Sequence, residues 1–308
     1  MSSASPLVTV CTITCNSVRT VERAIKSVIN QSYQNLELLI FDANSDDGTP
    51  KILENFARRD SRIRIFLHET RESWTVSARL GLQYAGGGYF MFLDGDDFVD
   101  HNYVNQLVYN QQVGASIGAM GKLLHCDTDD RYVVGHPAFG RVFKFANARS
   151  RYTRLKALIL EPDGYGSANL LYSLWSTSEL REIGLRTAGR ERIDDDYLFC
   201  LRALSRGPIE SNTNTWICRH VINPTQHEVK ASNPQIASQL TTSYQKNFGD
   251  WTYPRLVQIF RFIKSDWRNL LVIFPTLLRI CIATAALPSR IFRKAFVVLD
   301  YDRPKVNQ

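Results

Sequence analysis

The sequence predicts an α/β fold, with a mainly parallel sheet carrying helices on both faces and a helical tail after it. Three observations lead there. Across the first hundred residues, short apolar or β-branched runs alternate with segments whose apolar residues recur at helical spacing. Short loops join them, the pattern of strands brought side by side by crossover helices. After about residue 254 the composition changes to apolar stretches with basic punctuation.

Leu7 to Thr14 is β-branched and reads as a buried strand. Val18 to Asn30 follows as a helix, with Val18, Val21, Ile25, Val28 and Ile29 on one face. Glu37 to Phe41 is a second strand, ending at Asp42 in a turn of Asn, Ser, Asp and Gly. Thr49 to Arg58 is a helix with Ile52, Leu53 and Phe56 inward, and Ile63 to Leu67 is a third strand. Trp74 to Ala85 is a helix stopped by Gly86-Gly87-Gly88, and Tyr89 to Leu93 is a fourth strand running into Asp94-Gly95-Asp96-Asp97. The middle is less regular: a strand over Ser116 to Leu124, then helices over Thr153 to Leu160, Ser178 to Ile183 and Tyr197 to Ser205. Asn233 to Pro254 is polar and marks a boundary before apolar helices at Arg255 to Ile263 and Trp267 to Leu287.

Charge and cysteine usage narrow the function classes. The net charge is +7, and residues 254–308 hold ten Lys/Arg against three Asp/Glu, so the tail carries all of it. That distribution argues against a nucleic-acid-binding surface and suits a tail resting on an anionic membrane. Leu270 to Leu287 is close to the shortest membrane span, but Pro275 and Arg279 interrupt it. Interfacial helices lying on the membrane are therefore expected, against alternatives in which they cover the catalytic domain or form a homo-oligomer face. Six cysteines, none in a Cys-x-x-Cys pair, read as reduced and structural. The N-terminal Met-Ser-Ser-Ala-Ser-Pro has no basic flank or apolar core, giving an expected cytoplasmic location, peripheral on the membrane.

Three acidic clusters carry candidate chemistry. Asp94-Gly95-Asp96-Asp97 follows a strand, so Asp94 and Asp96 fall on one side of an extended chain. Their oxygens suit Mg²⁺ or Mn²⁺, and Gly95 lets a ligand approach the backbone. The competing reading is a solvated acidic turn. In the second cluster, Asp42 to Thr49, Asp46 or Asp47 is expected to cap the next helix, while Asp42 ends a buried strand where a carboxylate can accept from a nucleobase N–H. The third, Asp194-Asp195-Asp196, groups three carboxylates whose repulsion can raise the pKa of one, as a general base requires; helix capping is its bland alternative.

Several segments, in order, resemble the inverting family-two glycosyltransferases of the GT-A fold, a Rossmann-like nucleotide-diphospho-sugar transferase architecture. They are Val8 to Asn16, Ala24 to Tyr33, Leu36 to Thr49, Gly88 to Asp97, and Leu180 to Gly184 with Asp195-Asp196 and Leu201-Arg202. The resemblance covers roughly residues 6 to 225. It implies a catalytic domain over residues 1–230, with a nucleotide-sugar half at 1–115 and an acceptor half at 116–230, followed by a tail at 231–308. It also implies inverting transfer from a nucleotide sugar, a UDP-sugar favoured, to a hydroxyl of a glycan or lipid-linked acceptor. Thr14 and Asp42 would line the nucleobase site. Asp94 would face the ribose and diphosphate, and Asp96 would ligate Mn²⁺ or Mg²⁺ with Asp94 and Asp97 beside it. Asp196 would be the base, with Asp195 its acidic neighbour. Asp47 and Gly95 complete the donor-binding set.

The sequence departs from that pattern at three positions. Cys15 stands where an aromatic is common, so base stacking is lost there. Ala43 replaces a second carboxylate, leaving Asp42 more of the burden. Arg79 stands where Asn is common, either reaching the diphosphate or solvated. His220 and His227 follow the base segment as diphosphate neighbours or ordinary loop histidines. Other readings need features the chain lacks. A sugar nucleotidyltransferase or a dinucleotide oxidoreductase requires a glycine-rich loop after strand one, where Cys15-Asn16-Ser17-Val18-Arg19 has none. A non-catalytic scaffold on the same fold has no need of the carboxylates at 94, 96, 195 and 196.

Overall fold

The computed structural model describes residues 5–127, 129–134, 136, 138–161, 167–185, 194–220 and 248–278. Its first half follows the expected alternation: β1 (Val8–Thr14), α1 (Val21–Ile29), β2 (Leu36–Asp42), α2 (Thr49–Ala57), β3 (Ile63–Leu67), α3 (Trp74–Tyr84) and β4 (Tyr89–Asp94). All seven residues of β1 are buried, because helices cover both faces of the sheet at its centre. α1 buries Val21, Ala24, Ile25 and Val28, a stripe at helical spacing. α2 is entered through Gly48, whose φ of 92° favours glycine, and through a proline in its first turn. Ser73 caps α3 by accepting from Val76 N–H at 3.3 Å. Between α3 and β4, Gly87 lies so close to β1 that a Cβ there would come within 2.6 Å of Thr9 N. Thr9 Oγ1 accepts the Gly87 N–H at 2.9 Å and donates to Glu37 at 2.7 Å, fixing where β4 begins.

The second half adds β5 (Phe98–Val99), α4 (Tyr103–Val113), β6 (Gly118–Cys126), α5 (Arg151–Leu160), β7 (Leu174–Ser176), α6 (Thr177–Ile183), α7 (Asp194–Arg206) and β8 (Ile209–His220). One eight-stranded sheet results, in the order β3-β2-β1-β4-β7-β6-β8-β5. It is parallel from β3 to β4, antiparallel where β7 joins β4 and β6, and parallel again between β6 and β8. The tripeptide β7 is thus the bridge that makes the sheet continuous. A buried Arg154 ties α5 to its surroundings, donating to the carbonyls of Leu204 (2.8 Å), Ala148 (2.7 Å) and Arg149 (2.8 Å).

Two features differ from the sequence-based expectation. α7 begins at Asp194, so the three aspartates form its first turn instead of preceding it. β5, α4, β7 and β8 were not anticipated: β5 and β7 are two and three residues long, and β8 runs through the polar Ser211-Asn-Thr-Asn-Thr215. After residue 247, α8 (Phe248–Ser265) packs against α7, and a 3₁₀ turn (Trp267–Val272) follows. Among the described residues no helix is long and apolar enough to cross a membrane. The five described cysteines are free, and Cys11, Cys126, Cys200 and Cys218 are buried.

Candidate active site

Strands β1, β2 and β4 are neighbours running the same way, so their carboxyl ends share one edge of the sheet. Thr14 is level with Asp42, and Ile13 with Asp94. Ligands of open α/β sheets bind along such an edge.

At the end of β2, the carboxylates serve the turn itself. Asp42 is buried and accepts from Ser45 N–H at 2.8 Å and Ser45 Oγ at 2.5 Å. It therefore has a structural task that its sequence position did not reveal. Asp47 takes the capping role, accepting from Thr49 N–H (3.0 Å), Thr49 Oγ1 (2.5 Å) and, across the loops, Val18 N–H (3.0 Å). Partial burial opposes its charge, but these hydrogen bonds outweigh that and hold its carboxyl below the usual range. Asn16 N–H donates to Ser45 Oγ at 2.8 Å and Asp46 N–H to Asn16 Oδ1 at 3.1 Å, closing the two loops into one wall. Cys15 lies in that wall, its thiol directed to Ala43 O at 3.4 Å.

At the end of β4, the carboxylates are met by residues from distant elements. Asp94 accepts from Trp74 Nε1 at 2.8 Å and Tyr172 Oη at 2.7 Å, and pairs with Arg219 Nη2 at 3.2 Å. Asp97 is buried, accepts the His220 N–H at 2.8 Å and pairs with Arg219 Nη1 at 2.8 Å. The Arg219 guanidinium lies 3.6 Å from the centre of the Tyr172 ring, a cation–π contact. Asp96 is the more open carboxylate, with His220 Nδ1 at 3.5 Å. Its backbone carbonyl accepts from Arg23 Nη2 at 2.9 Å, and the Arg23 guanidinium sits 4.1 Å from the Phe98 ring centre. Gly95 has no room for a side chain: a Cβ would come within 2.6 Å of Thr14 Cβ. The buried Thr14 Oγ1 beside it has no hydrogen-bond partner among the described residues.

These contacts set the protonation pattern. Burial pushes Asp97 well above the usual carboxylate range; Arg219 opposes this, and the neighbouring Asp96 and Asp94 add to it. Asp96 falls the other way: burial is outweighed by the His220 hydrogen bond and the Arg219 charge. The hydrogen bond to Asp96 raises His220, with burial opposing. Burial raises the Tyr172 hydroxyl well above the usual phenol range.

The donor set fits a hard divalent cation. Oxygens of Asp94, Asp96 and Asp97 lie within 4.8 Å of one another. The cluster sets three carboxylates against the Arg219 guanidinium, with the His220 ring beside Asp96. Oxygen ligands of this kind suit Mg²⁺ or Mn²⁺. Asp94 and Asp97 already give their oxygens to protein donors, so Asp96 has the most coordinating capacity left.

The remaining sequence-predicted residues stand further out. Arg79 is on the exposed side of α3, about 140° round the helix from Trp74, and does not join the cluster. Asp196 is half-buried in the first turn of α7. One turn on, Cys200 Sγ reaches Ser167 O at 3.5 Å, so α7 packs on the 3₁₀ turn Ser167–Tyr172 that delivers Tyr172 to Asp94. The side chain of Asp195 and the whole of His227 lie outside the described residues.

Sequence reading missed Arg219, Tyr172, Trp74 and Arg23. Only Arg219 carried a signal: with His220 it ends an apolar run, Trp216-Ile-Cys218, much as the acidic clusters end theirs. The other three take their roles from tertiary placement alone.

Comparison with known proteins identifies the family and the fold. The family model described as glycosyl transferase family 2 matches residues 9–167, more than half of the 308 residues. An uncharacterized glycosyltransferase of Haemophilus influenzae is 28% identical over 128 residues, 42% of this chain and 51% of that protein. A GalNAc(5)-diNAcBac-PP-undecaprenol beta-1,3-glucosyltransferase of Campylobacter jejuni is 36% identical over 93 residues, 30% of each chain. The chain thus spans about half, or less, of the length of these relatives. Among solved structures, S. aureus TarS 1-349 in complex with UDP-GlcNAc matches with a TM-score of 0.56 at 15% identity, covering 92% of this chain and 82% of that one. At that identity the likeness concerns the fold, which is the GT-A sheet with flanking helices.

Proposed function

Because this chain belongs to glycosyl transferase family 2, we propose that it transfers a sugar from a UDP-sugar to a hydroxyl of a lipid-linked or cell-surface glycan precursor, with inversion. One observation carries the reading: Thr14, Asp42 and Asp94 end adjacent parallel strands, and Asp94 opens a carboxylate cluster suited to a divalent cation. The choice of donor is supported by the TarS structures, which hold UDP and UDP-GlcNAc. A lipid-linked acceptor is supported by the Campylobacter relative, whose name gives an undecaprenol-linked acceptor. An acceptor of that kind would be met at the cytoplasmic face of a membrane.

In this reading the wall from Cys15 to Thr49 receives the nucleobase, with Asp42 and the Thr14 hydroxyl toward it. Asp94, fixed by Trp74 and Tyr172, positions the ribose and diphosphate. Asp96, with His220 beside it, would hold Mn²⁺ or Mg²⁺, which would neutralise charge developing on the leaving diphosphate. Arg219 keeps Asp94 and Asp97 together against their mutual repulsion. Asp196 takes the proton of the attacking hydroxyl as the new bond forms on the face opposite the leaving group.

Calorimetric titration with UDP, GDP, dTDP and CDP, each with and without Mn²⁺, tests the donor and metal site together. UDP binding that needs Mn²⁺ and weakens roughly 100-fold in Asp96→Ala is expected; no nucleotide binding under any condition overturns the proposal. Asp196→Asn should slow transfer by about 10²–10⁴-fold with donor affinity unchanged, and full turnover in that variant would remove Asp196 from the role of base.

A further inference from the structure

We propose that residues 260–278 form a surface that rests on the headgroup layer of an anionic lipid bilayer. The segment has two distinct sides. The inner side packs on the catalytic body: Gln258, Ile259, Phe262, Asn269, Val272 and Thr276 are buried, with α8 against α7 and the 3₁₀ turn against α5. Asn269 accepts from Arg151 and donates to Phe262 O at 2.7 Å, which fixes how the turn sits.

The outer side exposes Leu270, Ile273, Phe274, Leu277 and Leu278, with Phe274 66% and Leu277 55% accessible. Residues 273–278 are helical, so Ile273, Phe274, Leu277 and Leu278 form one stripe, and Leu270 is exposed on the 3₁₀ turn just before it. Single exposed apolar residues are ordinary on a protein surface; five large ones between 270 and 278 are a patch. The segment also exposes the cations Arg261 and Lys264, neither with an acidic partner among the described residues, and Arg268, paired with Asp266.

Charge decides the occupant. Residues 260–278 carry three Lys/Arg and one Asp, a complement to anionic headgroups. A second copy of this chain on the same face would set two such basic segments against each other. Because no helix among the described residues can cross a membrane, the contact lies in the interface plane. The surface is separate from the carboxylate cluster, so its test uses lipid binding and not turnover.

The test is co-sedimentation of the full chain with phosphatidylcholine vesicles containing about one-third phosphatidylglycerol, and with pure phosphatidylcholine vesicles. Binding to the anionic vesicles, at least about tenfold weaker on neutral ones and reduced at roughly 0.5 M salt, is expected. Phe274→Ser with Leu277→Ser should lower the partition coefficient about tenfold or more. Arg261→Gln with Lys264→Gln should lower it about tenfold, and keeps the test decisive if the first variant fails to fold. UDP titration of the same samples should be unchanged, which separates failure here from failure of the donor reading. Wild-type chain that ignores anionic vesicles, or variants that sediment like wild type, would overturn the proposal. So would a dimer that Phe274→Ser with Leu277→Ser dissociates, or amide-exchange protection of residues 270–278 in the lipid-free monomer.

Discussion

Two acidic turns close neighbouring strands of one sheet, and they use their carboxylates in opposite ways. After β2, Asp42 and Asp47 spend their oxygens on backbone and hydroxyl groups within a few residues or in the adjoining loop. After β4, Asp94 and Asp97 are met by Trp74, Tyr172, Arg219 and His220, drawn from α3, from the 3₁₀ turn Ser167–Tyr172 and from β8 far along the chain. A turn that satisfies itself builds a wall. A turn whose charges need distant partners holds a concentration of charge that local structure does not require. Similar sequences at similar places can therefore be a scaffold in one case and a chemical centre in the other.

Substitutions sharpen the contrast, the largest effect coming at the β4 turn. Arg219→Met leaves Asp94 and Asp97 without their shared cation and should destabilise the fold by about 3–5 kcal/mol in urea melts. A loss under about 1 kcal/mol would mean that the guanidinium is not what holds the cluster. At the β2 turn, Asp47→Ala removes a cap and a loop tie and should cost about 1 kcal/mol, with Mn²⁺ affinity unchanged in calorimetry; altered metal affinity would erase the distinction between the turns.

The smallest effect is a pH slope. His220 is held above its ordinary value of 6.5 by the hydrogen bond to Asp96. A group whose folded pKa is raised contributes stability that is fully present below 6.5 and is lost as pH rises through the folded value. Wild-type stability in the absence of added metal should therefore fall as pH rises above 6.5, and His220→Gln should flatten that fall. An identical slope in the variant would assign the pH dependence elsewhere, for example to Asp97, whose raised pKa acts with the same sign.

The alternation up to Asp94 was legible because each element announces itself locally: β1 by its β-branched run, α1 by its stripe of buried residues. The placement of the two acidic clusters followed, since parallel register puts Thr14, Asp42 and Asp94 on one edge. β5 and β7 were illegible because two or three residues make no period, and each is held by its sheet neighbour. β8 was hidden by polar residues such as Asn212 and Thr215, which are buried but satisfied by Asn110 and Asp100. Arg219 left only the faint signal of ending an apolar run, because its role comes from Asp94 and Asp97, more than a hundred residues earlier. Arg79 shows the converse, a residue suggested by motif position that the helix turns outward.

The bridge made by β7 also bears on how such a chain can be recombined. Asp94 and Asp97 come before β7 in the chain, and Arg219, which pairs with both, comes after it. A chimera that took residues through β5 from this protein and the rest from a relative would inherit both Asp94 and Asp97, and would fold only if the donated segment brought its own cation to the same spot. The compatible crossover points are thus set by a matched pair of charges, and not by where the chain looks loosest.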